Sequence, residues 1–209
     1  MLYTKTVEPT TFDILKKVFE IKALNGFAPA GGTALSLKMG HRISVDIDLF
    51  SVKKFENERL INVLKKNFSS FEVRRSGKMG VFGYIEDLKT DCIPHQQFKM
   101  LRPFEVIDGI RFFSNEDIAA MKVFAIIQRA KKKDYWDLNQ LLNHFSFEQI
   151  VGFYLEKYPD NTMMISVAEA ISKYHLVDDD YEEPICLNRL KWVTIKQNIG
   201  KKIDIFFKS

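Results

Sequence analysis

Apolar residues recur along this chain at two spacings, and the switching between them predicts a mixed α/β fold. Between residues 11 and 24, Ile14, Leu15, Val18, Phe19 and Ile21 fall on one helical stripe. Thr10 or Thr11 can cap that helix, and Gly26 stands where it would stop. A second stripe over 56 to 68 runs through Leu60, Ile61, Val63, Leu64 and Phe68. Between these helices the period drops to two. Val45, Ile47 and Leu49 alternate with Ser44, Asp46, Asp48 and Phe50, which predicts a strand burying the first set and placing both aspartates on its other face. Further β-like pieces lie at 71 to 75, 81 to 85 and 88 to 93, with turns at 76 to 80 and 86 to 87. Strands and helices in this order predict an α/β core with helices packed against one sheet.

The second half reads as helical. Ser114 with Asp117 three residues later resembles a capping box opening a helix over 115 to 130, packed through Ile118, Met121, Ala125 and Ile126. Another helix is expected over 135 to 144. The acidic stretch at 178 to 184 reads as a loop between terminal helices. The apolar positions from 190 to 207 either close the core or offer a contact surface.

Composition narrows the class. At 209 residues the chain is long enough for one well-cored domain or a domain with a modest appendage, and 46% hydrophobic with 28% charged residues is the profile of a soluble globular protein. A net charge of +4 permits an RNA partner without requiring one. Cys92 and Cys186 form no CxxC pair, and the histidines at 41, 95, 144 and 175 lack metal-ligand spacing. The first residues hold no apolar signal-like segment and no run reaches membrane-helix length, so the expected location is the cytoplasm.

The chemistry concentrates in residues 31 to 50, GGTALSLKMGHRISVDIDLF. Paired carboxylates on one strand face repel each other, and a divalent cation removes that repulsion, since Mg²⁺ takes one or two carboxylates while holding substrate phosphates. Gly31 and Gly32 let the backbone approach a ligand, and with Thr33 they open a short helix whose positive end suits phosphate. No Walker lysine follows and no Gly-x-Gly-x-x-Gly is present. A phosphate-cradling turn ahead of a metal-binding Asp-x-Asp describes nucleotidyl transfer better than hydrolysis by a P-loop. Lys122 and Arg129, two turns apart, share a helix face that could neutralise a triphosphate. Arg42 could reach a phosphate or balance the local acids. The basic run 129 to 134 is either a solvated corner or a grip on RNA phosphates.

This segment resembles the signature of the AbiEii/AbiGii-type nucleotidyltransferases, a family of the polymerase-β-like superfamily that includes toxins of bacterial toxin–antitoxin and abortive-infection systems. The likeness extends through 102 to 111, 114 to 122 and 133 to 138. It implies a polymerase-β-like nucleotidyltransferase core, a mixed sheet flanked by helices, over residues 1 to 110, and a mainly helical C-terminal region over 111 to 209 packed on it. It also implies site residues. Asp91, on the third β-like piece, takes the place of a third carboxylate that bridges a metal or accepts the proton of the attacking hydroxyl. Lys122 takes the place of a functional lysine. A functional acid lies near Asp134, which is also placed to cap the next helix and pair with Arg129, while Asp137 is one turn on.

The expected catalytic set is therefore Asp46, Asp48, Asp91, Lys122 and Asp134, with the first three holding Mg²⁺. Gly31, Gly32, Thr33, Arg42, Ser44 and Arg129 are the expected nucleotide-binding set. The expected reaction moves an NMP from an NTP to an acceptor hydroxyl on RNA, such as a tRNA 3′ end, or on protein. A separately encoded antitoxin is an implied partner. A metal-dependent nuclease and a non-catalytic nucleotide- or RNA-binding module are the competing readings.

Overall fold

The alternating segments become a five-stranded sheet in the computed structural model, which describes residues 1–160 and 164–208. The strands are β1 (Phe27–Pro29), β2 (Ile47–Ser51), β3 (Glu72–Gly77), β4 (Gly80–Ile85) and β5 (Leu88–Pro94), in the order β1-β2-β5-β4-β3. β2 and β5 run parallel; every other neighbouring pair is antiparallel. The sheet is therefore mixed. Helices α1 (Pro9–Glu20), α2 (Gly31–Met39) and α3 (Asn57–Asn67) alternate with the strands, and a short ribbon of β6 (Glu105–Ile107) and β7 (Ile110–Phe112) follows. Leu15, Val18, Leu35, Leu37, Leu49, Leu64, Val81 and Ile85 are fully buried and form the core of this part.

A mainly helical part comes next, with α4 (Asn115–Arg129), α5 (Lys132–Leu141), α6 (Phe147–Lys157), α7 (Met164–Ser172) and α8 (Trp192–Lys208). Residues group into two compact units. The first comprises Met1–Gly40, Ser44–Phe98 and Phe104–Phe113; the second comprises His41–Ile43, Lys99–Pro103 and Ser114–Ser209. In the second unit α8 buries Ile195, Ile199 and Ile203, one residue per turn. No described helix is long and apolar enough to cross a membrane.

Several boundaries differ from the pattern-based expectation, each for a local reason. Helix α1 starts at Pro9, whose fixed φ suits the first helical position, and neither Thr10 nor Thr11 caps it. It stops at Glu20 because Lys22–Leu24 tightens into a 3-10 turn. β2 begins at Ile47, so Val45 lies outside the strand and is exposed, although the alternation placed it in the core. Helix α5 begins at Lys132, earlier than Tyr135, with Lys131 as its N-cap; Asp134 sits in the first turn and does not cap. At α4, Ser114 accepts from the Asp117 amide as expected, but the Asp117 carboxylate does not return to the Ser114 backbone. It accepts from the Ser114 hydroxyl, the amides of Leu101 and Arg102, and buried Lys157.

Candidate active site

Three short elements converge on the aspartates. β1 and β2 form an antiparallel pair, and the chain leaving β1 stays beside β2 because the Ala30 amide donates to the Asp48 carbonyl at 3.1 Å. Helix α2 starts on the next residue without a side-chain cap. Its first amides are therefore available to an anionic ligand, and the helix dipole favours one there. Gly31 adopts φ +73°, and a Cβ on it would stand 3.0 Å from Asp48 Oδ2. Only glycine satisfies both constraints without strain. Gly31→Ala is expected to lower stability by about 1–2 kcal/mol and displace Asp48. A denaturation midpoint and magnesium-dependent nucleotide affinity, measured on the same variant, check the two effects.

Parallel pairing of β2 with β5 sets Asp48 directly opposite Asp91. Side chains of opposed residues project from the same face, so these two carboxylates are neighbours. Asp46 lies two residues before Asp48, just ahead of the strand, and its position is fixed by Thr33, whose hydroxyl donates to the Asp46 carbonyl. The Ser44 hydroxyl is 2.9 Å from that of Thr33. Thr33 and Ser44 thus brace the segment that delivers Asp46. Seven of the eleven expected site residues, Gly31, Gly32, Thr33, Ser44, Asp46, Asp48 and Asp91, belong to this group.

One member of the group was missed. Lys89 Nζ is 2.7 Å from Asp91 Oδ2. Partial burial pulls its pKa down, yet the bond to Asp91 and the fields of Asp91, Asp46 and Asp48 outweigh this and hold the ammonium above its ordinary value. The signal was available: on a strand, a lysine two residues before an aspartate shares its face. Asp91 Oδ1 is buried and has no hydrogen-bond partner. A buried carboxylate oxygen without a donor calls for a positive partner, and the hard-oxygen donor set fits Mg²⁺. Among the described residues, no three His, Cys, Asp or Glu side chains are gathered as a ready cage. An ion here would complete its shell with substrate oxygens and water, as Mg²⁺ commonly does.

The other four expected residues, Arg42, Lys122, Arg129 and Asp134, form a cluster within the helical unit around an acid that was only the runner-up in sequence. Asp137 is fully buried and accepts from Arg42 Nε at 2.7 Å and Arg42 Nη2 at 2.9 Å. His41 Nε2 lies 2.7 Å from the same carboxylate, and Lys122 Nζ 2.5 Å. Lys122 also donates to Asp134 at 3.0 Å, and Arg129 Nε is 3.4 Å from Asp134 Oδ2. Lys122 and Arg129 share a helix face, and both meet Asp134. The basic corner beyond them is paired as well: Lys131 with Glu182 and Lys132 with Glu183, each at 3.1 Å.

Charge in this cluster is strongly fixed. Burial works against the Asp137 carboxylate, but Arg42, Lys122 and the His41 contact overcome it and hold its pKa well below the ordinary 3.8. Asp134 is lowered too, because Lys122 and Arg129 outweigh burial and the neighbouring Asp137. A lowered carboxyl pKa contributes stability that is present above the unfolded value and is lost as pH falls toward the folded value. The thermal midpoint is therefore expected to fall steeply once pH drops below about 4. In an Asp137→Asn variant that acid limb should be shallower, as thermal unfolding across the acid range would reveal.

Comparison with known proteins adds independent findings. The family model described as "Nucleotidyl transferase AbiEii toxin, Type IV TA system" matches residues 22–194. A protein of Aquifex aeolicus (strain VF5), aq_aa25, is 28% identical over 176 residues, covering 82% of this chain and 85% of its own. Among solved structures, JHP933 from Helicobacter pylori superposes with a TM-score of 0.60 at 17% identity, covering 97% of this chain and 94% of its own. ANT(2″)-Ia, solved in complex with adenylyl-2″-tobramycin, superposes with a TM-score of 0.56 at 17% identity, covering 73% of this chain and 99% of its own. At these identities the two structural likenesses establish the fold.

Proposed function

The chain belongs to the AbiEii nucleotidyltransferase toxin family, and from that premise we propose that it is a Mg²⁺-dependent enzyme moving an NMP from an NTP to an acceptor hydroxyl. The observation that carries the proposal is the opposition of Asp48 and Asp91 on parallel strands, beneath a glycine-opened helix start with no side-chain cap. In this reading Asp46, Asp48 and Asp91 hold the metal, which when bound neutralises phosphate charge and polarises the α-phosphoryl group. The amides at Gly32 and Thr33 bind the β- and γ-phosphates. The acceptor hydroxyl attacks the α-phosphorus, the bond to the bridging oxygen breaks, and pyrophosphate leaves. Asp91, where it does not bridge the metal, takes the hydroxyl proton.

The reading also gives Lys122 and Asp134 a part in the transfer step, and Arg42 and Arg129 a part in nucleotide binding. An RNA end or a protein hydroxyl is the acceptor, and growth arrest relieved by a separately encoded antitoxin is the biological output. Label transfer tests the reading directly. Purified protein, Mg²⁺, each α-labelled NTP in turn and total bacterial RNA should label one RNA size class from one nucleotide. Label on protein would move the acceptor to a protein. RNA fragments without pyrophosphate would favour a nuclease, and no magnesium-dependent NTP binding would leave a non-catalytic module.

A further inference from the structure

Beyond the carboxylates, the same sheet face continues outward with side chains that neither the transfer step nor the core accounts for. Asp91 stands opposite Phe82 on β4, and Phe82 stands opposite Arg75 on β3. One step along, Lys89 stands opposite Tyr84, and Tyr84 opposite Glu72. With strands about 4.8 Å apart, Phe82 is one strand from Asp91 and Arg75 roughly 10 Å from it. The register shifts between Val73 and Arg75, leaving Arg74 as the extra residue of a bulge. A bulge re-aims a side chain, and here the Arg74 guanidinium lies 5.9 Å from the Tyr84 ring centre while that of Arg75 lies 4.4 Å from the Phe82 ring centre.

The two faces of β4 differ accordingly. Val81 and Ile85 are fully buried, whereas Phe82 and Tyr84 are half-buried and both arginines are exposed. Charge on an edge strand discourages edge-to-edge pairing. That accounts for an arginine on β3. It does not account for two half-buried aromatic rings, each with a guanidinium beside it, on the face of the catalytic acids.

We propose that this face is a stacking platform for the single-stranded 3′ end of an RNA acceptor, with bases on Phe82 and Tyr84, phosphates on Arg74 and Arg75, and the terminal hydroxyl at Asp91. Aromatic rings interleaved with guanidinium groups are how proteins hold unpaired bases and their backbone without needing base-edge contacts. The placement of the hydroxyl rests on the transferase reading above; the binding of RNA does not.

The test measures binding of a fluorescein-labelled single-stranded RNA of roughly 12 nucleotides to the purified 209-residue protein by anisotropy, alongside magnesium-dependent NTP binding. Phe82→Leu with Tyr84→Leu should raise the RNA Kd at least ~10-fold and leave NTP affinity unchanged. Phe82→Trp with Tyr84→Trp should retain RNA binding, separating lost stacking from lost folding. Arg74→Gln with Arg75→Gln should lower the slope of log Kd against log salt by roughly 1.4. RNA bound equally well by the leucine variant and by wild type would overturn the platform, as would no RNA binding by wild type; intact NTP binding then leaves the transferase standing. RNA binding that follows these variants while NTP fails to bind would keep the platform and remove the transferase.

Discussion

Asp46→Asn with Asp48→Asn is expected to abolish nucleotidyl transfer, lowering the rate on the order of 10³-fold or more, as loss of electrostatic stabilisation at a charge-developing centre does. Each asparagine keeps the shape of its aspartate and removes the negative charge a divalent cation needs. The fold should survive. Asp48 pairs in the strand through its backbone, and Asp46 is braced by the Thr33 hydroxyl through its carbonyl, and asparagine keeps both of these backbone interactions. Asparagine relieves repulsion between the carboxylates and gives up their attraction to Lys89, so a thermal midpoint close to wild type should accompany the lost activity. A Michaelis constant for NTP that rises together with the fallen rate would place the two acids in metal-assisted nucleotide binding as well as in turnover. Full transfer activity in the double variant would sink the site assignment.

Asp137→Ala carries the largest expected stability loss, about 3–5 kcal/mol, the usual consequence of leaving buried charges without their partner. Arg42 and Lys122 are each about nineteen-twentieths buried and both direct charge at this one carboxylate. Asp134 would still meet Lys122, whereas the Arg42 guanidinium would lose both of its bonds to the Asp137 carboxylate. A cycle with Arg42→Gln should be strongly non-additive, because the first substitution already spoils what the second removes. Chemical denaturation of the two single variants and the double variant measures this. Additive losses would show that the bidentate pair contributes nothing beyond its parts.

The two clusters differ in how readable they were from sequence, and the difference is one of range. Gly31, Thr33, Asp46 and Asp48 lie within one short stretch, where period-two alternation and glycine chemistry act locally and leave a pattern. Asp91 lies in a β-like segment of its own, and its place among the site acids came from the family resemblance rather than from any local pattern. Arg42 and Asp137, by contrast, are 95 residues apart, and no local propensity links them. Asp134 stood out because it could cap the next helix and pair with Arg129; Asp134 and Asp137 are both fully buried, and which cations each one meets is decided by tertiary packing. The same holds for Asp117, legible as a cap but not as the partner of Lys157 forty positions on. β1 escaped notice because three residues ending in proline carry no periodic signal, and Val45 misled because alternation began two residues before hydrogen bonding did.

Between helix α2 and strand β2 the chain spends three residues, His41–Ile43, in the helical unit before returning. There Arg42 bridges to Cys186, and the Leu187 amide donates to the His41 carbonyl. The signature that marks the chain as a nucleotidyltransferase is therefore stitched through both compact units. The C-terminal half cannot behave as an exchangeable cassette. Recombination that grafts a foreign sequence after residue 113 keeps every aspartate of the sheet, yet it must also bring a carboxylate for Arg42 and an edge for residues 41 to 43. Descent within such a lineage should favour inheritance of the whole chain over shuffling of its parts.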